Sequence, residues 1–425
     1  MADKRLSLTL PDGVVAAALL ALAAWLAAAT WTYAGIDLYN DYLPWFTHIT
    51  QRGFGNAFAM PFGSYAPPYL YLLAVATPLS PTVLPFSAVK MVSYAGHGLL
   101  VLSARNLLRV CGCSRPWTGA GIVGLAPSLF INPAILVQCD AYWAAALVAA
   151  LAAALEARHA RMLLLCGLAV GFKLQAVFAA PLFLSLALAD RVPARLWLLA
   201  PAGYLATLLP AWLAGWPASD LLAIYFRQIG FSARLSLAAP NIWTLVEDLA
   251  TDKPACLAAI GSIAALIAGI AYVIVFARRL RGADQSTVLH AASLCAVIVP
   301  GLLPHMHERY FFLADVLTIV LAFVGPGWWM VAGLVQFGSF AAIWGYLTGA
   351  TGLADLAAAA MMTTTWLLLR PCFVPTATIL IPTTYHGTRS LAIWLPAAAK
   401  PGPSSGPTRP DGGGEGQSAR FLTNA

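Results

Sequence analysis

Residues 11–33 read PDGVVAAALLALAAWLAAATWTY, and residues 34–48 continue AGIDLYNDYLPWFTH. The first stretch carries a single charge, Asp12, and at 1.5 Å per residue it outreaches the roughly 30 Å hydrocarbon core of a bilayer. It is also longer than the apolar core of a secretory signal, about 7–15 residues. We therefore expect an uncleaved first membrane helix, with the polar, aromatic stretch after it as an outer loop. Apolar runs of similar character recur as far as Leu369. Only 10% of the 425 residues are charged and mean hydropathy is +0.77, which excludes an ordinary water-soluble domain, where charge is about 25%. The predicted fold is all-α, a polytopic transmembrane helical bundle.

About twelve spans are predicted, at 12–34, 85–108, 117–132, 142–157, 162–173, 176–189, 196–214, 255–277, 288–303, 312–325, 328–347 and 354–370. With a cytoplasmic N-terminus, alternate loops fall into two chemical classes. One holds Lys4, Arg5, Arg105, Arg109, Arg115, Arg158, Arg161, Arg191, Arg195, Arg278, Arg279, Arg281 and Arg370, the signature of the cytoplasmic side. The other holds Asp, Trp, Tyr, His, Pro and Asn, and two of its loops, 35–68 and 215–254, are long enough for short interfacial helices. The net charge of +7 is dispersed in the basic loops, so topology accounts for it and nucleic acid is not an expected partner. Seven cysteines without metal-type spacing give no disulfide framework and no zinc site. Residues 1–370 form the predicted membrane domain and 371–425 a tail. In that tail a further span at 371–395 is an open alternative, and the Pro-, Gly- and Ser-rich stretch from about 396 is expected to be disordered.

The residues suited to chemistry lie in the outer class. Asp37, Asp41, Trp45 and His48 fall at i, i+4, i+8 and i+11, one stripe on a helix; it could present a general base, or equally be a solvated face with Trp45 in an aromatic belt. Tyr65 precedes Pro67-Pro68, a rigid corner toward the membrane. Gln138 and Asp140 end the third span after Asn132-Pro133, and Lys173 stands alone between apolar segments with Gln175 beside it. An unpaired cation at that depth needs water or an anion. The densest cluster is His305, His307, Glu308 and Arg309. Two histidines at i, i+2 do not share a helix face, so a zinc pair fits poorly, whereas His and Arg at a membrane edge suit an anionic head group. There is no phosphate-binding Gly-x-x-x-x-Gly-Lys loop, no Asp-x-Asp pair for a metal-held nucleotide and no Gly-x-Ser-x-Gly elbow. No metal and no cofactor is expected.

The ordered set of an acidic first outer loop, Trp45, Tyr65-x-Pro67-Pro68, Asn132-Pro133…Gln138-x-Asp140, Lys173-x-Gln175, Pro240-Asn241-Ile242-Trp243 and His305-x-His307-Glu308-Arg309 resembles the GT-C superfamily of integral-membrane glycosyltransferases. The likeness is greatest to the enzymes that glucosylate lipid-linked oligosaccharides in the ER and to their bacterial relatives. It covers roughly residues 10–370. The resemblance implies a polyprenyl-phosphate-linked sugar donor, a glycan or lipid-linked acceptor, inversion at the anomeric carbon, and a first-loop Asp as base, Asp37 with Asp41 as competitor. It further implies donor-phosphate binding by Lys173, His305, His307 and Arg309, and substrate contacts from Trp45, Tyr65, Gln138, Asp140, Gln175, Asn241, Trp243 and Glu308. The implied location is a bacterial inner membrane with the site facing the periplasm. A polysaccharide polymerase or ligase, for which Arg227 and Arg234 in the 215–254 loop would serve, and a lipid-linked-sugar flippase or transporter remain alternatives.

The charge asymmetry makes a direct prediction. In a cysteine-free background, a single cysteine placed at 37 should react with a membrane-impermeant maleimide on intact spheroplasts, and one at 160 only after permeabilisation. Labelling of position 37 from the cytoplasm alone would invert the topology.

Overall fold

The computed structural model describes residues 10–228, 234–247, 254–350 and 352–373. The expectations for a disordered tail and for a further span at 371–395 fall outside these residues beyond Phe373. In lipid every main-chain polar group must be satisfied internally, which favours helices. Among the described residues the fold is helical apart from one pair of two-residue strands.

Helix α1 (Asp12–Ala29) is followed by a π-helical turn at Leu38–Tyr42, then α2 (Leu43–Ala57) and α3 (Pro67–Ala76). The double proline occupies the start of α3, where a missing N–H costs nothing. After α4 (Pro85–Val110), α5 (Pro116–Leu125) and the segment from Pro127 meet at a 57° bend. That segment is α6 (Pro127–Ile131) and a second π-helical turn, Asn132–Leu136. Next come α7 (Asp140–Leu155), α8 (His159–Phe172), a 3-10 stretch at Leu174–Ala179, α9 (Ala180–Ala189), α10 (Ala194–Trp197) and α11 (Leu199–Leu213). The long loop at 215–254 carries α12 (Ala218–Gln228), β1 (Ser236–Leu237) and α13 (Ile242–Glu247). Then follow α14 (Pro254–Arg279), α15 (Gln285–Leu302), β2 (Met306–His307), α16 (Phe312–Val324), α17 (Trp329–Thr348) and α18 (Gly352–Phe373).

A helix stands at each predicted span. Among the described residues six are long and apolar enough to cross a membrane, or seven if the bent pair is one span. Helices α7, α8 and α16 and the Leu174–Ala189 stretch are apolar but shorter. Helix α4 has the length, yet carries Lys90, Arg105 and Arg109. Together these helices make an integral membrane protein.

Burial follows side-chain size. The alanine-rich α7 is buried almost throughout, because small side chains let neighbouring helices approach closely. Helix α1 buries no residue and turns Leu20 and Trp25 outward, as a lipid-facing helix would. Helices α8 and α11 cross at glycines: a Cβ on Gly167 would run into the Ala200 carbonyl, and one on Gly203 would lie 2.8 Å from the Leu164 carbonyl.

Gly167→Ala should therefore lower stability by about 1–3 kcal/mol, since backbone cannot yield as a side chain can. Gly333→Ala, at a helical position with nothing within 4 Å, should be neutral or stabilising by up to about 1 kcal/mol. Thermal melting of the two purified variants in detergent checks the contrast.

Candidate active site

Two irregular turns deliver the polar side chains. The amide of Gly35 donates to the Ile135 carbonyl at 2.6 Å, laying the start of the first outer loop against the second π-helical turn. That turn ends at Val137 with φ 55°, a left-handed conformation that a β-branched residue rarely adopts. The reversal there leads Gln138 and Asp140 into α7, and Gln138 Nε2 donates to Asp37 Oδ2 at 2.5 Å.

Asp140 is the hub. Its carboxylate accepts from Asn132 Nδ2 at 2.9 Å, Trp143 Nε1 at 3.0 Å and Lys173 Nζ at 2.6 Å, and Arg309 Nε lies 3.6 Å away. Lys173 stands where α8 ends in extended backbone. Its ammonium also donates to Gln138 Oε1 at 3.4 Å and lies 5.3 Å from the centre of the Tyr65 ring. Tyr65 donates to the same Gln138 oxygen at 3.1 Å and meets the Tyr42 hydroxyl at 3.1 Å. Burial pushes the Tyr65 phenol up to about 12, so it stays protonated at neutral pH.

Arg309 sits among three carboxylates, bonded to Glu308 Oε1 at 2.6 Å and approaching Asp37 Oδ2 at 3.8 Å and Asp140. Asp37, Asp140 and Glu308 against Lys173 and Arg309 leave the cluster with one net negative charge when both histidines of the loop are neutral. The three acids differ in access: the Asp37 side chain is 34% exposed, against 2% for Asp140 and 0% for Glu308. Burial would raise the Glu308 carboxyl, but the Arg309 guanidinium and the His307 ring, 3.6 Å away, hold it below its ordinary value.

The predicted stripe from Asp37 to His48 does not form. A π-helical turn has more residues per turn than an α-helix, so side chains four apart no longer superpose. Asp41 stays half-buried and has no hydrogen bond within the cluster; burial and the neighbouring Asp37 carboxylate raise its carboxyl. Trp45 is buried against Tyr42 and Tyr65 rather than open to a ligand. His48 stacks on Phe62.

The loop before α16 is held by a strand clip, with Ser236 opposite Met306 and Leu237 opposite His307 in parallel register. His305, at φ 60°, serves this clip: its amide donates to the Leu235 carbonyl at 2.7 Å and its Nδ1 meets the Arg234 carbonyl at 2.6 Å. His307 lies beside Glu308 and meets the Tyr310 ring at a tilt of 50°. Asn241 and Trp243 are fasteners, the first donating to the carbonyls of Pro300 and Leu303, the second to that of Leu302 at 2.7 Å. Gln175 is buried near Tyr310. Of the predicted site residues, the structure thus gathers Asp37, Tyr65, Gln138, Asp140, Lys173, His307, Glu308 and Arg309. It keeps Asp41 at the margin and sets Trp45, Asn241, Trp243 and His305 to structural tasks.

Sequence reading missed Trp143, although a spacing of three from Asp140 on a helix was a usable signal. It also missed Tyr346, half-exposed on α17 and near enough to Asp37, Glu308 and Arg309 to feel their charges. No local pattern marks that residue. Among the described residues no three His, Cys, Asp or Glu side chains gather as a metal site requires.

No protein-family model and no curated protein matches the chain. A solved structure, that of ArnT from Cupriavidus metallidurans bound to undecaprenyl phosphate, is similar over 84% of this chain and 78% of that one, at 12% identity and a TM-score of 0.49. A likeness at that level decides neither substrate nor mechanism here.

Because its folded carboxyl is lowered, Glu308 contributes stability that is present above its unfolded pKa and lost as pH falls through the folded value. Glu308→Gln should destabilise the protein at pH 7 by about 3–5 kcal/mol, since Arg309 loses its closest partner in a buried setting. The gap to the parent protein should narrow below about pH 4. Melting curves at pH 7 and pH 3.5 measure both.

Proposed function

We propose that the chain is a membrane glycosyltransferase of the GT-C class. It would move a sugar from a polyprenyl-phosphate carrier to a hydroxyl of a glycan or lipid-linked acceptor at the outer, periplasmic face of a bacterial inner membrane. The observation that carries the reading is the inequality among the three acids around Arg309: two are sealed in ion pairs, while Asp37, held among the described residues by Gln138 and a long contact to Arg309, reaches solvent. A general base needs that access, and cations that meet a leaving phosphate need the burial.

An apolar groove supports the lipid half of the reading. A cavity of about 380 Å³ lies among the elements from α7 to α11, lined by Leu163, Val170, Ala176, Phe183, Trp197 and Tyr204. Val170 and Ala176 flank Lys173 in the chain, so a polyprenyl tail in the groove would bring its phosphate toward Lys173 and Arg309.

In the reaction the acceptor oxygen attacks the anomeric carbon from the face opposite the phosphate, its proton passes to Asp37, and the bond from carbon to phosphate oxygen breaks. The phosphate goes from one negative charge to about two, less any protonation in solvent. Protonation of Asp37 takes the cluster from one net negative charge to none in the same step. Charge that builds on the leaving group is thereby matched by charge removed beside it. Donor phosphate bound to Arg309 would also displace its long contact with Asp37 and free the base.

A transporter of lipid-linked sugars would use the groove and the cations but not a proton acceptor, and this separates the readings. In nanodiscs with a synthetic polyprenyl-phosphate-sugar, Asp37→Asn should lower kcat by about 10²-fold or more with donor KM little changed. Arg309→Lys keeps a charge beside Glu308 but loses the planar fork, so donor KM should rise and kcat fall together. Full activity of both Asp37→Asn and Asp41→Asn would remove the first-loop mechanism.

A further inference from the structure

Lys90 is a fully buried cation in the membrane domain, and nothing in the reaction above uses it. Its ammonium donates to the carbonyls of Thr30 at 3.0 Å, Trp31 at 2.7 Å and Tyr33 at 2.7 Å. Those bonds use all three of its N–H groups. The rings of Trp31 and Phe86 lie 5.6 and 5.5 Å from it. Its partners are main-chain oxygens just beyond the end of α1, near the negative pole of the helix dipole, and the Thr30 carbonyl also accepts from the Tyr33 amide at 3.1 Å.

The same face of α4 makes further bonds to this segment. Trp31 Nε1 donates to Ser87 Oγ at 3.2 Å, and the Trp31 ring stacks on Tyr94 at 5.9 Å. Ser87, Lys90 and Tyr94 are three and four residues apart, one stripe of a helix. The adjoining face of α4 holds the other half of the site. Ser93 Oγ donates to the carbonyl of the strained Val137 at 2.9 Å, and Tyr142 donates to the Val92 carbonyl at 2.6 Å. One helix therefore grips the chain just before Asp37 and the chain on both sides of Gln138 and Asp140.

We infer that Lys90 is a positioning residue, which through its grip on Thr30–Tyr33 sets the place of the Asp37 carboxylate relative to Asp140, Lys173 and Arg309. This rests on the reading of Asp37 as base. A glycine cap would satisfy the end of α1 without a buried charge. What the lysine adds is a single point that fixes three carbonyls of the approach to Gly35, whose amide is then fixed in turn by Ile135. Displacements of about 1 Å at a reacting group can cost about 10²-fold in rate.

The test uses the full chain in nanodiscs. Lys90→Met, similar in length but with neither charge nor donors, should lower kcat by about tenfold or more while donor KM stays within about threefold. Amides of residues 31–38 should exchange with deuterium faster than in the parent protein. Asp37→Asn added to Lys90→Met should cost much less than Asp37→Asn alone, because both changes act through one carboxylate. Unchanged kcat, equal loss of donor affinity and turnover, or additive effects of the two substitutions would overturn the inference. If Asp37→Asn alone is fully active, the base assignment falls and this inference falls with it, whereas exchange at 31–38 still reports whether Lys90 grips the segment. Should Lys90→Met fail to insert, Lys90→Gln, with two donors on a shorter stem, is read by the same criteria.

Discussion

A carboxylate sealed from solvent at the head of α7 has to be matched, and much of the molecule is arranged around matching Asp140. An unpaired charge in such a place costs several kcal/mol even after relaxation. Lys173, Arg309, Asn132 and Trp143 converge on it from the end of α8, the loop before α16, the turn after α6 and α7 itself. Each of those segments has to stop being regular helix near Asp140, or start there, to bring its donor in. The short α8, the bend between α5 and α6, and the clipped loop at 304–311 share that requirement. The polar cluster at the other end of α7, where Glu156 pairs with Arg109 and Arg158, is about 24 Å away at 1.5 Å per residue. The bundle thus has two chemically distinct ends, and the one holding Asp140 has the deeper burial.

Composition made the helical membrane fold legible, because a chain this poor in charge has few other ways to satisfy its backbone. The segregation of arginine from acidic, aromatic loops made the end with the site legible. Asp37, Gln138, Asp140, Lys173 and Arg309 could be picked out individually since polar and ionisable groups beside apolar segments are costly. What could not be read was geometry that depends on irregular backbone. The stripe through Asp37, Asp41 and Trp45 assumed an α-helical period, and the π-helical turn at Leu38–Tyr42 breaks it. The dense histidine cluster divided for a similar reason: His305 took a left-handed conformation to close a strand pair with residues 234–237, which lie some seventy positions earlier. Tyr346 comes to the site only through the packing of α17, which no spacing within its own helix reveals.

Val137 and His305 both adopt the left-handed conformation beside the site. Each such conformation costs about 1–3 kcal/mol and persists only where its surroundings hold it. Val137 is held by Ser93 on α4, and His305 by the carbonyls of Arg234 and Leu235. One presents Gln138 to Asp37, and the other begins the loop that brings Glu308 and Arg309 to Asp140. Two points of left-handed backbone therefore help set the distances among the charges.

Those distances bear on why the cluster is left one charge short of neutrality. Under the proposed reaction, a fully neutral set would have no reason to attract a proton during transfer, and a set with excess cations would bind the phosphate product as tightly as the donor, which would slow release. In the proposed transfer, one surplus carboxylate, the exposed one, would give the proton a place near the donor phosphate yet not in contact with water on all sides. It can occupy that position only if its neighbours do not neutralise it, and its contact with Arg309 at 3.8 Å is longer than the 2.6 Å bond that Glu308 makes with the same guanidinium. Glu308 and Asp140 hold the arginine, so Asp37 does not have to. The sealed acids, which touch no substrate in this reading, are on this account what leaves the exposed acid free of a close ion pair.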